Sequence, residues 1–538
     1  MRTWLSVVVV LLLLGTAYAE LQNVTVGGII ETRFRYIPGS FNRGDAAWAP
    51  FGPAPAVYGP ARWFPHRPIG DGWAVNPRLL LDPRNVMGLM DWSDQSHTWA
   101  FAELATSVNV RADFTDDVSA FIEFYAFDIW GQDFRSDYIT GVDRRANTAD
   151  DVEVLQSYIE TKNTFGLPIR LRIGRQCLQF GKSFLIADKT TPTQRFAFDA
   201  IRATYQQDKL TVDAWWSKLA DNSPREEDGD VDFYGVYGTY NFSDAVNASA
   251  YWLLVRDARS QWDTQGGWLS DWIEDVVGVD DYDPTTLHTV GARFWGKVGA
   301  FDYNVDGAYQ FGDASVTGVN FKQPSIWGLY GDDSAEYDGN WGVDAEVGYL
   351  LDIAWKPRLF LGGVYFSGED NRDISFLEWL NPFDKPEASV SFNRLFSDLN
   401  YAPVLQDNGE MTNFKQIRGG VTFTPTEKLW VMLRLQNMWT NGTFDWPVNW
   451  RVGRFRWPLA PAFDFWDEES DDNMGFHADT VIRYTYNSNL TFIVYYGHLW
   501  AGDAVRDGNY VLGFGNQFHG GTASEDADYA FFWSILKF

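Results

Sequence analysis

Charged and polar side chains recur at alternate positions in this chain: Glu31, Arg33 and Arg35; Arg170 and Arg172; Asp302, Asn304 and Asp306; His477 and Asp479. A spacing of two puts side chains on one face of an extended strand. A guanidinium fork grips a carboxylate or phosphate through parallel N–H bonds. A face of this kind therefore has two uses. It can capture an anionic chain at successive weak sites, or it can pair internally with carboxylates, stiffen a wall and set a transverse field. Bond-breaking chemistry is not suggested. The histidines are His66, His97, His288, His477, His498 and His519. None has H-E-x-x-H spacing, and there is no G-x-S-x-G elbow or phosphate-binding loop. His477 and Asp479 read as strand neighbours rather than members of a triad, and no enzyme is expected. The sole cysteine, Cys177, excludes an intramolecular disulfide and a cysteine-built metal site.

Such faces need strands, and the chain supplies them. Segments of period two are predicted over 24–37, 97–113, 117–128, 153–163, 169–180, 195–207, 209–219, 230–242, 246–257, 287–298, 300–313, 340–354, 357–368, 413–424, 427–439, 475–487, 490–501 and 526–538. Their connections alternate between short and long. Thr115-Asp116, Gln207-Asp208, Gly299, Pro425-Thr426 and Ser488-Asn489 are short and carry turn formers. The stretches 38–96, 129–152, 258–286, 314–339, 369–412, 440–474 and 502–525 are long. That alternation is expected of an outer-membrane barrel, with short periplasmic turns and long external loops. The fold expected is all-β, a single transmembrane antiparallel β-barrel of about 18 strands.

The faces then sort themselves. Tyr303, Val305, Tyr309 and Phe311 oppose Asp302, Asn304, Asp306 and Gln310; Ile30, Phe34 and Tyr36 oppose Glu31, Arg33 and Arg35. The apolar face is read as meeting lipid and the polar face as lining water. The inward basic set is Arg33, Arg35, Arg111, Arg170, Arg172, Arg202, Arg293, Arg418, Arg434 and Arg483. The inward acidic set is Glu31, Glu103, Glu123, Asp213, Asp302, Asp306, Glu346 and Asp479. Phe538 ends a strand rich in aromatics, as suits a last strand that closes on the first.

Composition agrees. Arg2, the apolar run Trp4–Leu14 and Ala17-Tyr18-Ala19 read as a signal peptide over 1–19, with the barrel domain over 20–538. No later run reaches the ~20 apolar residues of a spanning helix. Mean hydropathy is −0.27, unremarkable for a wall that alternates lipid-facing and water-facing residues. Aromatics reach 17% and glycines number 48, fitting interface belts and close strand approaches. The net charge of −29 argues against nucleic acid. The expected location is the outer membrane of a double-membraned bacterium, with its lipid as partner.

Two stretches resemble the alginate-export family of outer-membrane barrels. One holds Gly174-Arg175-Gln176, Phe180-Gly181 and Phe198-Asp199-Ala200-Ile201-Arg202; the other is Phe392-Asn393-Arg394-Leu395-Phe396. Ala200 stands where the family has glycine. The histidine and glycine expected after Phe396 are replaced by Asn400-Tyr401-Ala402. The resemblance implies a channel for an anionic polysaccharide or related solute, a lumen lined by arginines, and a monomer.

Acid concentrates in the long connections, at Asp464–Asp472 and Asp271–Asp283. Such oxygen-rich clusters can hold Ca²⁺, although no EF-hand spacing occurs and a solvated outer face accounts for them. No cofactor is expected. Trp446, Trp450, Trp457 and Trp466 crowd 440–474, where they could stack on sugar rings or serve as interface aromatics. The function expected is passive, partly selective passage of solutes. The alternatives are a general diffusion pore made cation-preferring by acidic loops, and a secreted soluble carbohydrate-binding β-protein.

Overall fold

The computed structural model describes residues 21–38, 98–114, 117–130, 152–188, 195, 197–220, 230–258, 285–313, 336–368, 391–405, 411–443, 450–452, 455–457, 471–504, 510–512, 517–519 and 526–538. The expected leader, His66, the acidic cluster at 271–283 with Asp464–Ser470 of the other, Trp446 and Trp466 lie outside them.

In chain order the strands are β1 (Leu21–Pro38), β2 (Thr98–Phe114), β3 (Val118–Ile129), β4 (Glu153–Thr161), β5 (Ile169–Gln176), β6 (Phe198–Gln207), β7 (Leu210–Ala220), β8 (Val231–Asn241), β9 (Asn247–Asp257), β10 (Thr285–Val298), β11 (Phe301–Asp313) and β12 (Glu336–Leu350). Then follow β13 (Arg358–Phe366), β14 (Phe414–Thr426), β15 (Leu429–Thr440), β16 (Trp450–Val452), β17 (Phe455–Trp457), β18 (Asn473–Thr485), β19 (Leu490–Ala501), β20 (Tyr510–Leu512), β21 (Gln517–His519) and β22 (Ala527–Lys537). The short pairs β16–β17 and β20–β21 stand apart, and the rest form one 18-stranded sheet. Each strand of that sheet pairs antiparallel with its neighbours, and β22 returns to β1 from Ile29↔Lys537 to Tyr36↔Ala530. The sheet is a closed barrel. Closure leaves no sheet edge, which a wall facing hydrocarbon requires.

Phe538 finishes the seam. Its N–H donates to the Gly28 carbonyl at 3.1 Å and its carbonyl accepts from the Gly28 N–H at 3.0 Å. A β-carbon on Gly28 would lie 2.5 Å from the Phe538 ring, so this approach requires glycine.

The strand spans follow the period-two reading to within a few residues, with β5 stopping at Gln176 rather than at residue 180, β6 starting at Phe198 rather than 195, and β12 lying at Glu336–Leu350 rather than 340–354. Outward positions are apolar and exposed: Ile173, Ile201, Val236, Val290, Val305, Val347, Leu361, Ile417 and Val494. Aromatics bracket this band. Phe242, Phe301, Tyr349, Trp355 and Tyr486 lie toward the short turns; Trp216, Trp252, Phe311, Trp341 and Trp500 lie toward the long connections. From Phe301 to Phe311, about 3.4 Å per residue and a tilt of about 40° give roughly 26 Å, close to the ~25 Å apolar band of such barrels.

The inner face departs from expectation. Toward the short turns it is polar, as read from the alternation. Toward the long connections it is apolar in part: Phe198, Trp215, Phe233, Leu253, Val255, Leu287, Phe366, Phe414, Met438 and Leu499 are buried there in one cluster. The cause is that chain occupies the lumen at that level. Segments 177–188 and 391–405 fold inward and seat on these side chains.

Candidate solute pathway

Segment 177–188 leaves β5 beside Gln176, whose side-chain amide donates to the carbonyls of Ala200 at 3.0 Å and Gly174 at 3.2 Å. The Cys177 N–H donates to Gln156 Oε1 at 2.9 Å. Burial pushes the Cys177 thiol up to about 12. Phe180 then stacks on Trp215 and Tyr237, each with centroids 4.8 Å away.

Segment 391–405 meets it. Phe396 accepts from the Ala187 N–H at 3.0 Å and donates to the Leu185 carbonyl at 2.8 Å, a parallel bridge between the two segments. The Ser397 hydroxyl donates to the Ser183 carbonyl at 3.1 Å. Buried backbone needs such partners, and here each segment supplies the other's. The second segment is also tied to the wall. Gln310 donates to the Asn393 carbonyl and accepts from its N–H, both at 2.7 Å. The Tyr401 hydroxyl donates to Asp344 at 2.9 Å, and the Tyr401 carbonyl accepts from Gln416 and Gln436, both at 3.0 Å.

Around these segments the inner arginines are largely matched with carboxylates. Arg33 and Arg35 both reach Glu103, at 2.6 and 2.9 Å. Arg172 and Arg111 share Glu160, at 2.6 and 3.3 Å. Arg202 meets Asp213, Arg418 meets Asp344 and Glu346, and Arg434 meets Asp479. Arg172 faces Arg202 directly across β5 and β6. Like charges so placed repel, and the flanking Glu160 and Asp213 offset this. Asp306 accepts from the Tyr251 hydroxyl at 3.0 Å, and Glu123 accepts from Gln156 at 2.6 Å and Arg195 at 3.2 Å. Glu31 and Arg170 are half-buried, while Arg483 is exposed near the short turns over the Trp430 ring.

One stretch of the inner wall differs. A cavity of about 310 Å³ opens between Lys182 of the first inward segment and strands β10–β13. Lys182, Arg293, Lys297 and Arg358 line it together with Asp302, Glu346, Trp295 and Tyr303. Arg358 forks onto Asp302, at 2.8 and 2.5 Å, and touches Glu346 at 3.0 Å. Arg293 donates to Asn304 at 2.8 Å and lies 4.3 Å from the Trp295 centroid. No carboxylate bridges to Arg293 or Lys182 among the described residues. Desolvation holds the Lys182 ammonium below the usual lysine range, reinforced by the nearby Arg293 and Arg358 charges.

A family model described as alginate export matches residues 82–511, the greater part of the sequence. The chain belongs to the alginate export family. It is accordingly a porin-like channel of the bacterial outer membrane. Solved structures similar to it include Pseudomonas aeruginosa OccK8 (OprE), at 10% identity over 96% of this chain and 98% of that one, with a TM-score of 0.47. Acinetobacter baumannii OccAB1 is similar at 10% identity over 97% and 99%, TM-score 0.49. Vibrio cholerae OmpT, folded in vitro, is similar at 9% identity over 97% and 100%, TM-score 0.37. No curated protein matches the sequence.

The motifs shared with the alginate export family now have positions. Phe392, Asn393 and Phe396 are the anchors of the second inward segment. Phe392 lies over Gly342, where a β-carbon would meet its ring at 2.4 Å, and stacks on Phe366 at 5.3 Å. Phe396 packs on Phe198 and Phe233, at 5.0 Å each. Gly174 sits at φ +124°, with Ser157 O only 2.3 Å from any β-carbon, so it bends β5 where no side chain fits. Arg175 points outward, away from the lumen, and makes a two-pronged pair with Asp199 at 2.9 and 3.0 Å.

Sequence reasoning missed Arg358, Arg195, Arg394 and Lys182. Arg358 shares the inward parity of Phe360 and Val364 on β13 and was legible from alternation. Lys182 and Arg394 lie between the period-two segments, where no period marks a face, and Arg195 opens the segment 195–207 on the outward parity, although β6 begins only at Phe198. The acidic residues described at 471–472 are exposed, and Asp472 lies 3.6 Å from Lys415.

Proposed function

We propose that this member of the alginate export family passes an anionic, hydroxyl-rich oligosaccharide or polysaccharide, as a monomer and without chemical turnover. One observation carries the reading: the cavity beneath the inward segments gathers Lys182, Arg293, Lys297 and Arg358 around Trp295. Cations that the wall's carboxylates leave partly unmatched suit brief capture of a solute carboxylate, and the Trp295 ring suits a sugar face. The arginines bound to Glu103, Glu160, Asp213, Asp344 and Asp479 act differently. They stiffen the wall and shape the field, and only Arg293 of the inward basic set faces the cavity. Conduction favours this division, because sites must be weak enough to release.

A general diffusion pore with cation preference is the competing reading, favoured by the extent of that internal pairing and by the charge of −29. Single-channel recording in a planar bilayer separates the two. Anion preference, with concentration-dependent block by an anionic oligouronide, is expected. Block should weaken several-fold in Arg293→Gln. Cation preference without block would replace this reading with the diffusion pore.

A further inference from the structure

Across five neighbouring strands the outer wall carries a continuous row of charge, where a lipid-facing surface is ordinarily apolar. Across β5 to β9, toward the long connections, Arg175, Asp199, Lys218, Asp232 and Arg256 lie directly opposite one another in successive registers: Arg175↔Asp199, Asp199↔Lys218, Lys218↔Asp232 and Asp232↔Arg256. The signs alternate. Lys218 also reaches Asp230 at 2.5 Å and Asp232 at 3.0 Å, and the Trp216 indole donates to Asp232 at 3.0 Å. The Arg175 and Asp199 side chains remain 49% and 56% exposed despite their pairing. Immediately toward the barrel waist on the same strands come Ile173, Ile201, Trp216 and Trp252, all exposed.

Stability does not explain this row. Exposed ion pairs contribute about 0–1 kcal/mol. A charge on the lipid face of such a barrel costs about 2–4 kcal/mol at the midplane and about 0–1 kcal/mol near the interface. The row therefore belongs at headgroup level, just beyond the aromatic belt on the external side.

We propose that this outward row on β5–β9 docks the phosphorylated headgroup of an outer-leaflet lipid. Arg175, Lys218 and Arg256 supply N–H donors to phosphate oxygens. Asp199, the most exposed of the carboxylates in the row, faces the divalent cations that bridge neighbouring phosphates. Charge alternation lets both bind on one arc without net repulsion. None of these residues faces the lumen, so the site is independent of the solute path.

Native mass spectrometry of the full-length protein tests this. In a neutral detergent with Mg²⁺, the protein is offered lipid A, a bisphosphorylated acylated glucosamine disaccharide, or the same lipid after phosphatase treatment. The wild type is expected to retain the phosphorylated form about tenfold better, a difference worth about 1.4 kcal/mol. The variant R175Q/K218Q/R256Q is expected to lose that preference while keeping its heat-modifiable gel mobility and conductance. Equal retention of the two lipids by the wild type overturns the proposal whether or not the variant folds. Undiminished preference in the folded variant overturns it too.

Discussion

Arg394 shows how one residue can hold a loop inside a channel. Its side chain is fully buried, donates to the Met411 carbonyl at 3.1 Å and to the Leu399 carbonyl, and lies between the rings of Phe366 and Tyr401 at 5.0 and 4.8 Å. A buried cation is tolerated when carbonyl acceptors and aromatic faces offset its desolvation. Arg394→Ala strands those carbonyls and leaves a void, and should destabilise the inward segment by about 2 kcal/mol or more. A rise in single-channel conductance, with a lower heat-modifiability midpoint, is the expected readout; unchanged values on both counts would show that Arg394 does not hold the segment. Lys182 makes a different prediction. Its ammonium is held below the ordinary lysine range, so its charge is lost as pH rises, earlier than for a solvated lysine. Anion preference should therefore decline as pH is raised toward ~10, before an ordinary lysine would lose its charge. Lys182→Met should start lower and lose the early part of that decline, because arginine does not titrate there.

The elements were legible wherever one face meets lipid. Each segment of the 18-stranded sheet was found from period two and from turn residues, because every residue in the wall must choose between hydrocarbon and interior. The inward segments were not legible. They have no period, and their seats read ambiguously in sequence: Tyr251-Trp252-Leu253-Leu254-Val255 on β9 is apolar on both faces, one toward lipid and the other toward the loop cluster. Alternation was equally silent on whether 369–412 stands outside or turns in. The Phe392-Asn393-Arg394-Leu395-Phe396 motif was visible, but its role depends on Gln310, Gly342 and Phe198, residues far away in sequence. Phe396→Ala keeps the main-chain bridge but removes the ring that seats the joined segments on Phe198 and Phe233, and should widen the pore more than the equivalent truncation of Phe360 in the wall. Equal conductance of the two variants would show that this seat does not hold the segments in the path.

At the scale of the whole molecule, one surface serves lipid, another serves the solute, and the inward segments divide the lumen along its length. The charge of −29 does not identify the pathway, because the inner carboxylates described above are mostly engaged by arginine. What distinguishes the cavity is the local surplus of cation around Lys182 and Arg293, a property of three-dimensional arrangement that no sum over the sequence reveals.

The seam between β1 and β22 also governs how the chain reaches this state. The Thr32 carbonyl accepts a bond from the Ser534 hydroxyl across a separation of 502 residues. Bringing such distant segments together costs loop-closure entropy before any contact rewards it, and topologies of this kind fold slowly. Neighbouring hairpins can form as they appear, but β1 keeps an unpaired edge until the other seventeen strands are in place. A half-made barrel is therefore adhesive, and its danger is the wrong neighbour rather than the wrong shape. Refolding into detergent, followed by gel mobility, should show a slow final phase that shortening β22 at Phe538 retards further.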